Sequence, residues 1–489
     1  MENIVAEVES LRKATYGEED VLDRKENNVQ EKGTTLLFVS IAAVNLITLG
    51  TGCHIAWTSP TIPRLVSNDT SINPLGNSPA TVFDISFIAG SYFIGCLVGN
   101  LIPARVLDRC GRKPVMALVA ALMSVSSIVL AFASNVWSYC LCRLVLGIGS
   151  GATFMLIPLY TGEVAHKGNR GRFNYYLTMF LGLGFIYSYS TGSRFSTKVY
   201  TLLCSLPTLL ALLFILLVIP ETPYFLVSRN RTRSEVGKVL SKLRSCFDLE
   251  DEMKQIECAV SRNLKQGGQK VTYVSIFRDR ATSKAFTIST SMLIFQLLSG
   301  TTVIYSFLSP ILDTVTATYW SGNTSAIAIS MVNLLCTITG SLTVERCGRK
   351  PLLIWSALTA GFSNFLLGVF FQLQALRYDL VSLSSLPFVC IVLYSIGYSL
   401  GLGSLPFAYV SELFPQHTKN VAVPVCTALG TLCNALLTVI FPYFMQYLGV
   451  QWCFWLFAAS CVGCAIFTRY VVPETKGKTL EEIQRILEA

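Results

Sequence analysis

Two short charged loops recur in the two halves of the sequence. Residues 108–114 read Asp-Arg-Cys-Gly-Arg-Lys-Pro, and residues 345–351 read Glu-Arg-Cys-Gly-Arg-Lys-Pro. Beyond each loop and a long apolar stretch stands a glutamate, Glu163 in the first half and Glu412 in the second. The guanidinium group of arginine is a planar fork that matches a carboxylate through two parallel hydrogen bonds. The sequence therefore predicts two matched sets of Arg–Glu pairs.

The sequence offers little to an enzyme mechanism. It contains three histidines, and it shows no nucleophile–base constellation and no cofactor motif. The phosphate-binding pattern GxxxxGK[ST] is absent, which argues against ATP-driven transport. Most of the 16 cysteines lie inside apolar segments, and no pair of CxxC motifs has zinc spacing. We therefore expect no enzymatic activity, no cofactor and no metal site.

The composition places the charged loops in a membrane protein. Hydrophobic residues make up 52% of the 489 residues, charged residues only 14%, and the mean hydropathy is +0.53. Soluble domains carry about 25% charged residues, so this chain cannot build a water-facing surface of ordinary size. That excludes a soluble enzyme and a disordered chain. The net charge of +9 comes from short basic clusters beside apolar runs, which is typical of membrane proteins and not of a nucleic-acid surface.

Twelve apolar windows have the length of about 20 residues that crosses a bilayer as a helix. They are residues 35–57, 83–103, 115–134, 137–160, 173–193, 199–219, 285–308, 324–344, 352–373, 383–410, 421–445 and 449–470. The long polar stretch 221–284 divides them six and six. We therefore predict an all-α membrane protein with twelve transmembrane helices in two bundles.

The distribution of Lys and Arg predicts the orientation. These residues concentrate in the N-terminal tail, in the stretch 221–284 and in the short loops on the same side, whereas four lie in the opposite loops. By the positive-inside rule, both termini are predicted to be cytoplasmic. The tail has no apolar signal core, so we expect it to remain uncleaved. The predicted parts are a cytoplasmic tail 1–33, a six-helix bundle 34–220, a cytoplasmic helical linker 221–284, a six-helix bundle 285–472 and a cytoplasmic tail 473–489.

The two halves are similar in their charged motifs. Besides the loops and the two glutamates, Pro-Glu-Thr follows the sixth window at 220–222 and the twelfth window at 473–475. Three matched pairs in the same order indicate an internal duplication with a repeat axis along the membrane normal. Two similar bundles that face each other leave a cavity between them near the middle of the membrane.

These motifs are similar to those of the sugar porters of the major facilitator superfamily, over the family's whole length. Further matching motifs are Arg143-Leu-Val-Leu-Gly147-Ile-Gly-Ser-Gly151, Pro158-Leu-Tyr-Thr-Gly-Glu163, Arg170-Gly171, Pro220-Glu-Thr-Pro-Tyr-Phe-Leu226, Gln296-Leu-Leu-Ser-Gly300, Ser411-Glu-Leu-Phe-Pro415 and Pro473-Glu-Thr-Lys-Gly477. The segment Thr58-Ser59-Pro60 further resembles the insect-type branch of trehalose and glucose facilitators. The resemblance implies the major facilitator fold, sugar as the substrate and transport by alternating access of the two bundles.

In that family the charged pairs clamp the two bundles together on the cytoplasmic side while the site faces outward. The residues of this chain that match the clamp are Arg109, Arg112, Glu163, Arg170, Arg346, Arg349, Glu412 and Lys419, and Glu221 and Glu474 are expected to hold the cytoplasmic helices. The alternative is positive-inside anchoring with exposed ion pairs, which contribute little to stability.

The resemblance also implies the residues of the sugar site. Gln296, Asn333 and Asn434 match the family's amides, whose donors and acceptor suit neighbouring hydroxyl groups. Three further positions depart from the family pattern, and they are Phe407 in place of tryptophan, Thr302 in place of asparagine and Thr178 in place of glutamine. These departures leave open a hexose, a disaccharide such as trehalose, or a transporter-like sensor. Polar residues that merely hold helices together are the other alternative.

Energy coupling depends on the first window, which holds no Asp or Glu. Proton-coupled members of the family carry an aspartate there, and His54 falls near that position. A histidine titrates near neutral pH and could carry a proton. We nevertheless expect a passive carrier, with a proton-coupled symporter as the alternative. The expected location is the plasma membrane, with glycan sequons at Asn68 and Asn323 in outside loops.

Overall fold

The computed structural model describes most of the chain. The described residues are 34–76, 78–101, 103–165, 170–244, 249–266, 280–313, 322–414, 416–476, 482 and 485–487. Within these ranges the protein is helical and contains no strand. The prediction of an all-α protein is confirmed.

The first half of the chain forms six spans. Their bounds are Thr35–Ala56 continued by Thr58–Leu65, then Val82–Leu101, Arg112–Ala131, Val136–Val164, Arg170–Gly192 and Thr197–Leu217. A short helix, Pro103–Cys110, joins the second span to the third. The break at Trp57 separates the two segments of the first span.

The second half repeats this pattern with more irregular helices. Its spans are Arg280–Leu298 continued by Thr301–Ser306 and Leu308–Asp313, then Gly322–Cys347, Arg349–Ala375, Leu386–Gly397 continued by Leu405–Leu413, Gln416–Tyr443 and Val450–Tyr470. The tenth span widens into a π-helical turn at Tyr398–Leu402 before it restarts. We call the end of the spans that carries Gly111, Gly348, Glu163 and Glu412 the motif end, and the opposite end the far end.

Eleven helical segments of the described residues are long and apolar enough to cross a membrane. The fifth span, Arg170–Gly192, is not among them, because its tyrosine, serine and asparagine residues lower its hydropathy. It is nevertheless enclosed, since it packs against the first span on one side and the eighth on the other. Together the segments make the chain an integral multi-pass membrane protein of two six-helix bundles.

Close backbone contact holds the second and fourth spans together. A Cβ atom placed on Gly147 would lie 1.9 Å from the carbonyl oxygen of Tyr92, and one on Gly151 would lie 2.2 Å from that of Cys96. Only glycine permits such an approach, and small residues are the usual means by which helices pack in a membrane. Gly147 and Gly151 of the Gly-Ile-Gly-Ser-Gly motif are thereby explained by packing.

Between the halves, the described residues form the helices Pro223–Ser228, Arg233–Leu243 and Leu249–Gln266. Leu240, Ile256 and Val260 make a small apolar core of their own. Arg244 docks these helices at the motif end, because its Nη1 donates to the carbonyl oxygen of Val164 at 2.8 Å and its Nη2 pairs with Glu252 at 2.8 Å. A guanidinium group at the last turn of the fourth span also suits the negative end of that helix.

Candidate functional site

A cluster at the motif end of the first half contains the predicted Arg–Glu pair. Arg112 Nη2 donates to Glu163 Oε1 at 2.8 Å, and Arg112 Nε donates to the same oxygen at 3.2 Å. The other oxygen of Glu163 accepts a hydrogen bond from the Thr222 hydroxyl at 2.6 Å. The Arg112 and Glu163 side chains are only 11% and 12% exposed, so the pair is shielded from water.

Glu221 caps the third span from a distant part of the sequence. The helix begins after Gly111, whose φ of +96° suits glycine and whose missing side chain gives the helix no cap of its own. Glu221 Oε1 instead accepts from the backbone N–H of Arg112 at 3.1 Å, and its Oε2 accepts from that of Lys113 at 3.2 Å. A carboxylate is favourable at the free N–H groups of a helix start. Burial raises the pKa of Glu221 all the same, against the lowering effect of these N–H groups and of Arg112.

The second half repeats the cluster at the equivalent positions. Arg349 forms an ion pair with Glu412, and its Nη1 donates to the Thr475 hydroxyl at 2.9 Å. Glu474 accepts from the backbone N–H groups of Arg349 at 3.2 Å and Lys350 at 2.9 Å. Arg349 and Glu412 are 25% and 27% exposed, about twice as open as their counterparts.

The two capping carboxylates differ in their pKa. Burial alone would raise the pKa of Glu474, but backbone N–H groups, including that of Lys476 at 3.0 Å, bind the charged form, and the net effect is a lowered pKa. The duplicated position Glu221 shifts the other way, because it is more deeply buried. The same hydrogen-bond pattern therefore stands in two different electrostatic environments.

The remaining predicted clamp residues lie outside these clusters or cannot be placed. The side chain of Arg109 is exposed, and its carbonyl oxygen accepts a hydrogen bond from Arg229. The side chains of Arg170, Arg346 and Lys419 fall outside the described residues. Both described pairs lie within one half, so neither bridges the two bundles in this conformation. The clamp between bundles stays a prediction.

The two halves are instead joined at the far end by hydroxyl groups. Thr58 Oγ1 donates to the carbonyl oxygen of Ser306 at 2.9 Å, and Ser59 Oγ accepts from the backbone N–H of Ser309 at 2.8 Å. Ser309 Oγ in turn donates to Asn323 Oδ1 at 2.6 Å. We call Thr58, Ser59, Ser306, Ser309 and Asn323 the hydroxyl seal. Sequence reasoning took Thr58-Ser59-Pro60 as a family feature only and missed this contact.

Gln296 lies buried beside the irregular part of the tenth span. Its side chain is 3% exposed, and its Nε2 donates to the Gly403 carbonyl oxygen at 3.0 Å and to the Tyr398 hydroxyl at 3.3 Å. Its Oε1 has no partner among the described residues. Asn434, 6% exposed in the eleventh span, likewise holds its Oδ1 without a described partner. Buried polar atoms are normally paired, so these two acceptors fit a ligand or water.

Asn333 is held by two other spans. Its Nδ2 donates to the Tyr305 hydroxyl at 2.7 Å and to Ser399 Oγ at 2.8 Å. The Tyr305 ring stacks on Phe185 of the opposite half, with ring centroids 5.0 Å apart. The structure thus brings Asn333 to the border of the two bundles. Sequence reasoning missed Tyr305.

A chain of hydroxyl groups runs behind Gln296. The Tyr394 hydroxyl lies 2.6 Å from Thr301 Oγ1 and 3.2 Å from Ser299 Oγ, and Ser299 Oγ donates back to the carbonyl oxygen of Gln296 at 2.6 Å. Tyr394 and Tyr398 stand four residues apart on one face of the tenth span. This four-residue spacing, typical of one helix face, is the feature of the sequence that could have indicated these two tyrosines.

Three other predicted residues share no hydrogen bond with this buried group in the described part of the chain, and they are Phe407, Thr302 and Thr178. Phe407 is 49% exposed, so its ring is far more open than the buried amides. Thr302 is half-buried beside Thr301. Thr178 spends its hydroxyl proton on its own helix, donating to the Tyr175 carbonyl oxygen at 3.1 Å. Their roles in binding stay predictions.

His54 lies next to a buried cation. Arg143 is fully buried, with its Nη1 donating to the His54 carbonyl oxygen at 2.6 Å and its Nε to that of Ile88 at 3.3 Å. Its guanidinium carbon also stands 5.3 Å from the Trp57 ring and 4.6 Å from the Tyr92 ring, within cation–π range. Neither ring nitrogen of His54 has a partner among the described residues.

The arrangement of two pseudo-repeated bundles around buried amides is that of a membrane transporter. Residues 41–487 match the sequence profile of the family described as sugar (and other) transporter. The chain belongs to this sugar transporter family.

Known relatives agree with this assignment. The facilitated trehalose transporter Tret1 of Drosophila erecta is 31% identical over 446 residues, which cover 91% of this chain and 51% of the relative. The Tret1-2 homolog of Drosophila simulans is 30% identical over 450 residues, with 91% and 89% covered. The chain thus spans about half the length of Tret1 of Drosophila erecta and most of the length of the Tret1-2 homolog.

Solved structures support the fold. The inward-open xylose transporter XylE from E. coli superimposes with a TM-score of 0.74 at 23% identity, covering 92% of this chain and 99% of that one. The proton:xylose symporter XylE bound to 6-bromo-6-deoxy-D-glucose gives 0.73 at 24% identity, covering 93% and 99%. At this identity the likeness concerns the fold, which is the major facilitator fold.

Proposed function

We propose that the protein is a facilitative sugar transporter that works by alternating access of its two bundles. The observation that carries this proposal is the buried, uncharged hydrogen-bonding group around Gln296, Asn333 and Asn434. Amides and hydroxyls match a neutral solute rich in hydroxyl groups, whereas an ionic solute needs a counter-charge. The names of the Drosophila relatives favour trehalose as the first sugar to test.

The contacts at the two ends support the alternating cycle. The hydroxyl seal closes the far end in this conformation, and its bonds are neutral and few, so they break at small cost. Each Arg–Glu pair is held inside its own half at the motif end. In the opposite conformation the far end separates and the motif ends approach. A sugar that binds both conformations then crosses in either direction down its gradient.

Uptake into proteoliposomes tests the function. Purified protein should equilibrate radiolabelled trehalose or glucose across the membrane and stop there, with or without a pH gradient. Gln296→Ala should lower the rate strongly while the protein still inserts. A sensor would bind sugar without uptake, and a protein that neither binds nor carries any sugar of the panel would contradict the proposal.

A proton-coupled symporter is the second candidate. The ring nitrogens of His54 are buried without a described partner, which is the situation of a group that exchanges a proton. Against it stands Arg143, a fixed positive charge beside His54 that opposes a second one. Accumulation of sugar driven by an imposed proton gradient, and abolished by His54→Asn, would favour the symporter.

The location and topology belong to the same proposal. We infer that the motif end is cytoplasmic, with both termini on that side, and that the protein resides in the plasma membrane. The basic residues of the motif end support this orientation through the positive-inside rule. The proposed divisions are two bundles at 34–220 and 285–472, joined by a cytoplasmic helical linker at 221–284.

A further inference from the structure

The amide group of Gln296 has only one possible orientation. A backbone carbonyl oxygen such as that of Gly403 accepts hydrogen bonds and never donates them. The atom of Gln296 that faces it at 3.0 Å must therefore be the nitrogen, and the second N–H of that nitrogen points to the Tyr398 hydroxyl at 3.3 Å. Both N–H groups are used, so Oε1 is the only polar atom of the side chain that remains available.

The tenth span supplies both acceptors for the Gln296 nitrogen. Its π-helical turn at Tyr398–Leu402 brings the Tyr398 hydroxyl and the Gly403 carbonyl within hydrogen-bond distance of one side chain of the seventh span, that of Gln296. The Tyr398 ring stacks on that of Tyr394, with centroids 5.9 Å apart. Irregular backbone at membrane depth is tolerated where it lines a cavity or is buried in protein.

Resting on the proposed function, we propose that Tyr398 is a positioning residue that fixes Gln296 as a pure hydrogen-bond acceptor and thereby selects a sugar hydroxyl that donates its proton. Asn434 adds a second acceptor, since its buried Oδ1 also has no described partner. The eleventh span that carries it packs on the seventh, where a Cβ on Gly430 would lie 3.2 Å from Leu297. The site therefore distinguishes donors from acceptors on the sugar.

Deoxyfluoro sugars distinguish a sugar hydroxyl that must donate a hydrogen bond from one that only accepts. Fluorine in place of a hydroxyl group keeps a weak acceptor and removes the donor, whereas hydrogen removes both. At the hydroxyl that binds Gln296, we expect the fluoro and the deoxy analogue to lose affinity equally, by about tenfold relative to the parent sugar. Competition against uptake of the parent sugar, with each hydroxyl replaced in turn, measures these ratios on the unmodified protein.

Two matched variants assign the effect to Tyr398. Tyr398→Phe keeps the ring and removes the acceptor that holds the second N–H of Gln296. Tyr394→Phe removes a hydroxyl of the same network that bonds to Thr301 and Ser299 and not to Gln296. In Tyr398→Phe we expect the tenfold loss of the fluoro analogue at the critical hydroxyl to shrink to about threefold, because the released N–H of Gln296 can donate to fluorine. The deoxy analogue offers no acceptor and should keep its loss, and the ratios at the other hydroxyls should not change. Tyr394→Phe should leave the pattern of the parent protein.

The outcomes that overturn the proposal are distinct. A fluoro analogue that binds as tightly as the parent at every position would show that no essential donor exists. Equal changes in both tyrosine variants would reduce Tyr398 to a packing residue, and if Tyr398→Phe fails to insert, the analogue series on the unmodified protein decides alone. If the parent sugar is transported but the analogue ratios differ from those expected, the role of Tyr398 is contradicted and the proposed transport function is not. Absence of binding by any sugar removes both.

Discussion

Ser59 Oγ and Ser309 Oγ lie 3.0 Å apart, although the two residues belong to different bundles and stand 250 residues apart in the sequence. This pair lies at the centre of the hydroxyl seal, with Thr58 bonded to Ser306 beside it. A bond between positions 59 and 309 would hold the first and seventh spans together at the far end. Since alternating access requires that end to open, the pair offers a direct test of the cycle.

The double variant Ser59→Cys with Ser309→Cys should be locked by oxidation. Hydroxyl groups in contact leave the two side chains close enough for a disulfide or a short bis-thiol linker. After oxidation, sugar uptake should fall by more than about tenfold, because only one conformation remains accessible, and a reductant should restore it. Each single variant serves as the control for the native thiols. Full uptake in the cross-linked protein would exclude this end as a gate.

The two Arg–Glu pairs should differ in their contribution to stability. Glu163→Gln leaves Arg112 with a neutral partner in a site where both side chains are little exposed, and we expect a loss of about 1–3 kcal/mol. Glu412→Gln changes a more open pair and should cost below about 1 kcal/mol. Thermal unfolding in detergent measures both, with Glu250→Gln in the exposed linker as the control. Equal losses would contradict the difference in burial.

Glu412→Gln should nevertheless shift the balance of conformations. If the carboxylate also contacts basic residues across the bundles when the motif ends approach, its loss disfavours that conformation. Cysteines introduced on the two sides of the cavity should then become more reactive from the motif end and less reactive from the far end. An unchanged ratio of reactivities would leave Glu412 with a role inside its own bundle alone.

The capping carboxylates should give opposite pH dependences. The lowered pKa of Glu474 means that its contribution to stability is present above the ordinary carboxyl value of 4.5 and is lost as pH falls through its folded value. The raised pKa of Glu221 means that its contribution is present below 4.5 and is lost as pH rises through its folded value. Thermal unfolding of each Glu→Gln variant is compared with that of the parent protein from pH 4 to pH 7. The loss of stability in Glu474→Gln should grow as pH rises, and the loss in Glu221→Gln should shrink. Parallel curves would contradict the assignment.

Glycan should be attached to Asn68 and not to Asn323. Asn68 is exposed in the loop after the first span, whereas Asn323 accepts a hydrogen bond from Ser309 within the hydroxyl seal and is half-buried. Both are sequons on the side we infer to be outside. Each variant, Asn68→Gln and Asn323→Gln, is treated with glycosidase and its electrophoretic mobility is compared before and after. The mobility shift should be lost in Asn68→Gln and kept in Asn323→Gln. Asn230-Arg231-Thr232 is a third sequon, in the turn between the helices Pro223–Ser228 and Arg233–Leu243. Glycan on Asn230 would reverse the proposed orientation.

Much of the fold followed from the sequence because hydropathy and charge act locally. The twelve windows and the pairing of Arg112 with Glu163 depend on residue type and spacing, and these agree with the helices and contacts described. The fifth span was also found, although its tyrosines make it the least apolar of the twelve. The hydrogen bonds of Glu221 to a helix start were not foreseen, since they join residues that are far apart in the sequence.

The interior of the site was harder to predict because it depends on irregular backbone. The π-helical turn after Gly397 rotates the rest of the tenth span, so helical periodicity alone cannot tell that the Gly403 carbonyl faces Gln296. Matching to a family pattern directed attention to Phe407, which is half-exposed, and away from Tyr305, which holds Asn333. The contacts between these polar residues depend on how the helices are rotated and shifted against each other, and that arrangement is set by the packing of the whole bundle.

The helix caps supplied by Glu221 and Glu474, which are distant in sequence from the helices that they cap, imply an order of assembly during synthesis. The third span receives its cap from Glu221, 109 residues further along, and the ninth receives its cap from Glu474, 125 residues further along. Until those glutamates have been translated, the first N–H groups of each helix have no carboxylate partner. Each cap also ties the third helix of a half to the residues that follow its sixth. The cap of each third helix can therefore form only after the last helix of that half has been synthesised.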